Sequence, residues 1–262
     1  MPDPAQIFGP GTSILITGAS SGIGATLARQ LASHGGSLAL VARREDRLQQ
    51  LVQEVQGTGG KALAVAADVT DPAQVRQAYA RIAQAHGAPQ VAFLNAGLSD
   101  FVSLHRFDAG RIQRQFEVNV FGVLYWLEAL LPHMIQSHSG IIAGTSSLAA
   151  ARGLPGNPGY SATKAALSSM LDCIRPEAAQ HGIQVTIIEP GFVKTEMTAD
   201  ARFPMPFLVG SEKAGRIIVD GVARGKSMIR FPWPTALGVK LLSHLPDALY
   251  DRLGRSMLRK KK

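Results

Sequence analysis

Residues 14–24 read Ile14-Leu15-Ile16-Thr17-Gly18-Ala19-Ser20-Ser21-Gly22-Ile23-Gly24, and this stretch decides the fold. A short apolar run enters a turn with three glycines, and the turn opens a segment whose Ile23, Leu27 and Leu31 follow helical spacing. In a strand-turn-helix unit of this kind, main-chain N–H groups at the helix N-terminus face an anion, and glycine lets a pyrophosphate approach closely. The expected anion is a dinucleotide, held around Gly18, Ser20, Ser21, Gly22, Ile23 and Gly24. A T-G-x-x-x-G-x-G match arises by chance roughly once in a hundred such chains. The same residues satisfy G-x-S-x-G, which would make Ser20 a hydrolase nucleophile, but that elbow sits late in its sheet and this turn comes early. A P-loop needs Lys-Ser/Thr after its last glycine, where Ala25-Thr26 stands.

Outward from this turn, apolar runs recur at Ser13–Ile16, Ser37–Val41, Ala62–Ala66, Val91–Leu94, Gly140–Ala143, Ile183–Ile188 and Ser227–Phe231. Segments with helical periodicity, such as Leu48, Leu51, Val52 and Val55, lie between them. Strands that read as continuous apolar runs are buried on both faces, which predicts an α/β fold with a doubly wound parallel sheet. A single dinucleotide-binding and catalytic domain is expected over 1–262, with a substrate-covering segment at 197–215 and C-terminal helices with a basic tail at 232–262.

Composition narrows the function classes. With 46% hydrophobic and 18% charged residues, the 262-residue chain is an ordinary globular one, neither disordered nor fibrous. The net charge of +8 suggests a nucleic-acid partner, but Arg259, Lys260, Lys261 and Lys262 contribute half of it and no aromatic-and-basic stripe accompanies them. One cysteine, Cys173, forms no intrachain disulfide, and the seven histidines show no metal-ligand spacing, so a reducing compartment and no metal are expected. The N-terminus lacks the basic-then-apolar order of a signal peptide, and a cytoplasmic protein is expected.

Nucleotide choice is read at the end of the second strand, where an acid bonds a ribose 2′-OH and an arginine accommodates a 2′-phosphate. Here Ala42 is followed by Arg43 and Arg44, ahead of the first acid, Glu45, so NADP(H) is favoured over NAD(H). The plainer alternative is that both arginines begin a solvated helix. Asp68-Val69 and Asn95-Ala96-Gly97 follow the third and fourth strands, where a ligand crevice is expected.

Tyr160 and Lys164 stand four apart at the start of a predicted helix and project from one face. A phenol titrates near ~10, so acid–base work near neutrality calls for a neighbouring cation to lower it. The pair alone is weak evidence, since Tyr-x-x-x-Lys arises in roughly one such chain in seven. Upstream, Ser147 follows the Gly140–Ala143 strand and could polarise a substrate carbonyl.

Thr17-Gly18-x-x-x-Gly22-x-Gly24, Asn95-Ala96-Gly97, Asn119, Ser147, Tyr160-x-x-x-Lys164 and Pro190-Gly191 together resemble the ordered motifs of the short-chain dehydrogenase/reductase family, in its compact one-domain branch. The resemblance covers residues 12–195 and implies a Rossmann fold and interconversion of a carbonyl and an alcohol. It implies that Tyr160 exchanges the proton, Lys164 lowers its pKa and holds the nicotinamide ribose, Ser147 orients the carbonyl, and Asn119 holds a water that links Lys164 to solvent. Pro190, Gly191, Val193 and Thr195 would border the nicotinamide. The simpler readings are a polar residue within a helix for Asn119, turn formers for Ser146 and Ser147, and a helix cap for Thr195.

The family places substrate specificity after the sixth strand, here Phe192–Gly210, with Leu148–Pro158 opposite. Met197, Phe203, Met205, Phe207, Leu154 and Pro155 make these walls apolar, and only Arg152 and Arg202 could anchor a carboxylate, so a hydrophobic carbonyl or alcohol is expected. Pro176 is expected to kink the helix after Tyr160. In the tail, Leu237, Leu241, Leu245, Leu249 and Leu253 follow helical spacing beside the lysines, the pattern of a membrane-surface anchor; packing over the pocket or on a partner subunit is the preferred reading. A homodimer or homotetramer pairing near 111–134 and 161–180 is implied by the family. The competing function is a nucleotide sensor or scaffold with this fold and little turnover.

Overall fold

The structure is a computed structural model, and it describes residues 4–199 and 205–259, with side chains as far as Arg255. A short α1 (Pro4–Ile7) precedes β1 (Ser13–Thr17), α2 (Gly22–Ala32), β2 (Ser37–Ala42), α3 (Glu45–Gly57), β3 (Lys61–Ala66), α4 (Pro72–His86) and β4 (Val91–Leu94). The chain continues through α5 (Ala109–Phe116), a π-helical turn (Glu117–Phe121), α6 (Gly122–Ser137), β5 (Gly140–Thr145), α7 (Pro158–Gln180) and β6 (Ile183–Pro190). It ends with β7 (Val193–Lys194), α8 (Glu196–Ala199), β8 (Val209–Gly210), α9 (Ser211–Ala223), β9 (Met228–Phe231), α10 (Trp233–Ser243) and α11 (Asp247–Arg259).

Seven parallel strands form one sheet in the order β3-β2-β1-β4-β5-β6-β9. Ile14 pairs with Leu38 on one side and Val91 on the other, so chain order reverses between β1 and β4. The continuous apolar strands feed two cores by alternation. Ile14, Ile16, Leu38 and Leu40 meet Leu27, Leu48 and Ile218 of α2, α3 and α9. Leu15, Ala39 and Val41 meet Ile82, Trp126 and Leu167 of α4, α6 and α7. Each fully buried leucine or isoleucine contributes about 1.5–3 kcal/mol of hydrophobic stabilisation. The predicted doubly wound α/β sheet is what forms, in a single domain, and the seven predicted strands coincide with the observed ones to within one or two residues.

Local chemistry sets the helix ends. The Asp71 carboxylate accepts from the amides of Ala73 and Gln74, and Pro72 supplies a first helical residue with no N–H to satisfy. Asp108 caps α5 in the same way through the Arg111 amide. Ser21, at the start of α2, makes no side-chain cap bond, which leaves the first amides of that helix facing the crevice. The helical run 109–137 is long and apolar enough to cross a membrane, yet Trp126, Leu130 and Met134 on it pack into the core. Helix α7 is continuous through Pro176, where the sequence predicts a kink.

The turn after β1 is packed to contact. A Cβ on Gly24 would lie 2.4 Å from the Gly18 carbonyl oxygen, and one on Gly18, at φ +66°, would lie 2.8 Å from Ala96 Cα. Both obstacles are main chain and cannot swing away. Gly24→Ala is therefore expected to lower the urea midpoint by an amount equivalent to about 1–3 kcal/mol. Gly57→Ala, where nothing lies within 4 Å, should raise it slightly. Equal shifts for the two variants would show that crowding at Gly24 is not what demands glycine.

Candidate active site

The strand order reverses between β1 and β4, the place where sheets of this kind bind ligands beyond their carboxyl ends. The Thr17 hydroxyl oxygen accepts from the Asn95 and Ala96 amides at 2.9 and 3.1 Å, and the Asn95 side-chain amide donates to the Thr17 carbonyl at 3.3 Å. Asn95 is thereby spent on holding the turn in place. Gly18, Gly22 and Gly24 put no side chain in the turn, and with the start of α2, which has no side-chain cap, they make a main-chain cradle that fits a pyrophosphate.

Beside the cradle, Arg44 donates from Nε and Nη2 to Ser20 Oγ at 3.1 and 3.0 Å, and from Nη2 to Ser21 Oγ at 2.8 Å. Arg43 Nη1 lies 3.9 Å from Asp68 Oδ2, and Asp68 Oδ1 accepts from the amide and hydroxyl of Thr70. Arg44, Ser20 and Ser21 thus form one cluster, with Arg43 and Asp68 as a separate pair. The side chains of Val69 and Val193 are buried in core, Val69 against Gly122 and Val193 with Val209.

Deeper in, β5 ends at Thr145, and Ser147 follows in a short helical turn. Ser147 Oγ accepts from the Ala149 amide at 3.1 Å and lies 3.4 Å from the Pro190 carbonyl oxygen. The first turn of α7 presents partly buried Tyr160 and, one turn on, Lys164, whose Nζ lies 5.7 Å from the Tyr160 ring centroid. Lys164 is 3% exposed and donates to the Thr145 carbonyl at 2.7 Å. Burial pushes its ammonium down to about 8. Burial pushes the Tyr160 phenol above its ordinary value, against a hydrogen bond with Ser147 that pulls it back. The Lys164 ammonium, held at the Thr145 carbonyl, is not among the groups that move this phenol.

Asn119 sits in the π turn, fully buried. Its side-chain amide donates to the Leu98 carbonyl at 2.8 Å and to Thr163 Oγ1 at 2.9 Å, while Oδ1 accepts from the Leu98 amide at 2.7 Å. Both side-chain hydrogens are used by protein. Asn119 Oδ1 and Lys164 Nζ each stand 3.5 Å from the position of a Cβ on Gly97, so the bare glycine keeps the space beside them clear.

Several residues here carry no motif. Glu189, 4% exposed, accepts from Arg230 Nε at 2.6 Å, and the Ser168 hydroxyl lies 3.0 Å from its other oxygen and 2.7 Å from Ser146 Oγ. Ser146 in turn donates to the Lys164 carbonyl. Glu196 pairs with both Arg44 and Arg47. Only a fold that brings β6 and α8 to α7 and α3 reveals these contacts.

In the segment after β6, Met197, Phe207 and Leu208 are exposed, as are Phe101, Leu104 and Phe107 on the loop after β4. Phe203 and Arg202 lie outside the described residues. Arg152 is corrected as a carboxylate anchor: it donates to the Leu242 and Leu245 carbonyls and to Asp247, and stacks over Tyr250. Its charge is used to seat α10 and α11. The basic end Lys260–Lys262 lies outside the described residues, as does the Arg259 side chain.

Residues 12–205 match the family model for short chain dehydrogenases. An uncharacterized oxidoreductase of Myxococcus xanthus is 36% identical over 243 residues, which is 93% of this chain and 96% of that one. A short-chain type dehydrogenase/reductase from Mycobacterium marinum superposes with a TM-score of 0.79 at 27% identity, over 87% of this chain and 97% of that one. A Burkholderia phymatum short chain dehydrogenase/reductase in complex with NAD superposes at 0.82 and 23% identity, over 88% and 92%, a likeness of fold. With the crevice, the Ser147, Tyr160 and Lys164 group and these matches in agreement, the chain belongs to the short-chain dehydrogenase/reductase family of oxidoreductases, which use NAD(H) or NADP(H) and typically act on CH–OH groups.

Proposed function

We propose that this oxidoreductase uses NADP(H) to interconvert a carbonyl and an alcohol on an apolar substrate. The observation that carries the reading is the convergence of Ser147, Tyr160 and Lys164 beside a cradle flanked by Arg44. Gly18, Gly22, Gly24 and the start of α2 would hold the pyrophosphate, Arg44 with Ser20 and Ser21 the 2′-phosphate, and Lys164 the nicotinamide ribose. Arg43, Asp68, Ala96, Pro190, Gly191 and Thr195 would line the remaining wall. The bound nicotinamide supplies or accepts hydride at the substrate carbon.

The chain's own residues handle the proton. At neutral pH the Tyr160 phenol carries its hydrogen, the form that carbonyl reduction consumes when the substrate oxygen takes up a proton. Ser147 orients that oxygen. Lys164, charged at neutral pH despite burial, returns a proton toward the phenolate, and the space beside Gly97 and Asn119 accommodates a water that passes it on. The apolar rim at Met197, Phe207 and Leu208 suits a hydrophobic substrate. Pairing between copies through 111–134 and 161–180, and a reducing cytoplasmic setting for the lone Cys173, complete the reading.

Turnover of apolar ketones and aldehydes with NADPH should exceed that with NADH. In Tyr160→Phe, kcat should fall by about 10²–10⁴-fold with the Kd for NADPH unchanged. Normal turnover in that variant would reject Tyr160 as the acid, and NADPH binding by wild type without turnover on any carbonyl would favour the sensor reading.

The pH profile carries a sign. Lys164 is depressed from 10.5 to about 8, so it is charged below about 8 and neutral above. Since kcat/KM reports groups of the free enzyme, its value for reduction should fall as pH rises through about 8. A profile flat to about pH 9.5 would remove Lys164 from the proton path. Arg44→Ala should weaken NADPH binding about tenfold and leave NADH within about twofold, as measured by fluorescence titration.

A further inference from the structure

The arginines beside the cradle are already occupied by an anion of the chain's own. Arg44 Nη1 lies 3.1 Å from Glu196 Oε2, while Arg47 Nη1 holds Oε1, so one carboxylate bridges two guanidiniums. Both arginines hold the Glu196 carboxyl below its ordinary range. Arg44 gives its Nε and Nη2 hydrogens to Ser20 and Ser21. A phosphate that comes to Arg44 beside these serines must therefore compete with Glu196.

Glu196 opens α8, on the substrate side of the molecule, and the preceding Thr195 lies across the glycine turn. Thr195 Cβ and Cγ2 both lie 3.3 Å from the position of a Cβ on Gly22. The segment is fastened at both flanks: Thr198 Oγ1 donates to the Val193 carbonyl at 2.7 Å, and β7 pairs with β8 from Val193↔Val209 to Lys194↔Gly210. Neighbouring Met197 is 52% exposed on the apolar rim. A carboxylate at this point thus ties the nucleotide side of the crevice to the substrate side.

We infer that Glu196 is a specificity-determining residue, an internal anion that occupies Arg44 and Arg47 and that a nucleotide 2′-phosphate displaces. The inference rests on the reading of Arg44 as the 2′-phosphate partner. Glu196 taxes ligands that bear the extra phosphate and leaves those without it untouched. An exposed carboxylate–arginine pair is weak, so the tax is modest.

The test uses the full chain and two fragments, 2′,5′-ADP and 5′-AMP, which differ only in the 2′-phosphate, titrated into wild type, Glu196→Gln and Glu196→Asp by calorimetry. In Glu196→Gln the Kd for 2′,5′-ADP should fall about fivefold while that for 5′-AMP stays put. Glu196→Asp, which keeps the charge, should return the discrimination toward wild type. If both fragments shift together, or neither shifts, in Glu196→Gln, the inference is overturned and Glu196 only fastens α8. Wild type that binds 2′,5′-ADP no more tightly than 5′-AMP would instead reject NADP(H) preference; the change of ratio in Glu196→Gln still decides the role of Glu196. With its side chain 55% exposed, the substitution leaves the core intact.

Discussion

One hydroxyl oxygen organises the crevice. Thr17 Oγ1 accepts two main-chain amides, those of Asn95 and Ala96, at the point where the strand order reverses. Neighbouring strands of a parallel sheet diverge once their ladder ends, and amides beyond the last rung need partners. A single side chain meets that need here and sets the separation between the turn after β1 and the loop after β4. The contact of Gly18 with Ala96, the placing of Gly97 near Lys164 and the path of the loop toward Leu98 all follow from this knot. Valine has the same shape but no acceptor and would strand both amides.

The catalytic end rests on a second arrangement of the same kind, in which charge is taken out of water and then compensated. Lys164 is buried with its ammonium on the Thr145 carbonyl, and Glu189 is buried with Arg230 and Ser168 on its two oxygens. Ser146 stands between them, donating to the Lys164 carbonyl and touching Ser168. A buried charge is costly unless its lone pairs and hydrogens are matched, so these groups fix one another in position. The strand ends of β5 and β6 and the first turns of α7 are thereby locked into one block beneath Ser147 and Tyr160.

How much of this was legible in the sequence depends on whether a feature is local. The strands were legible because burial on both faces leaves an uninterrupted apolar run, as in Leu38–Ala42. Gly18, Gly22 and Gly24 were legible because main-chain crowding leaves no other residue type, and Tyr160 with Lys164 because one helical turn separates them. Glu196 was not legible: its partners Arg44 and Arg47 lie 152 and 149 positions earlier, and nothing near Met197 distinguishes this acid from a solvated one. The same holds for Ser168 and Glu189, which read as ordinary helix and strand residues. The burial that raises the Tyr160 phenol was not legible, because spacing shows a neighbouring cation but not desolvation.

The π turn at Glu117–Phe121 has a consequence for the rod formed by α5 and α6. A π turn takes up one residue more than an α turn, and one residue of an α-helix is about 100° of rotation. The two halves are therefore coaxial screws cut to different phase. Before the break, Gln115 points to the loop after β4 and grips Asp100 through both main-chain groups. After it, Trp126, Leu130 and Met134 turn to the sheet. Asn119 stands at the offset itself, aimed at Leu98 and Thr163. Removing one residue there would mend the helix and throw one of the two faces out of mesh, so the irregular turn works as the gear that lets a single rod serve both loop and core.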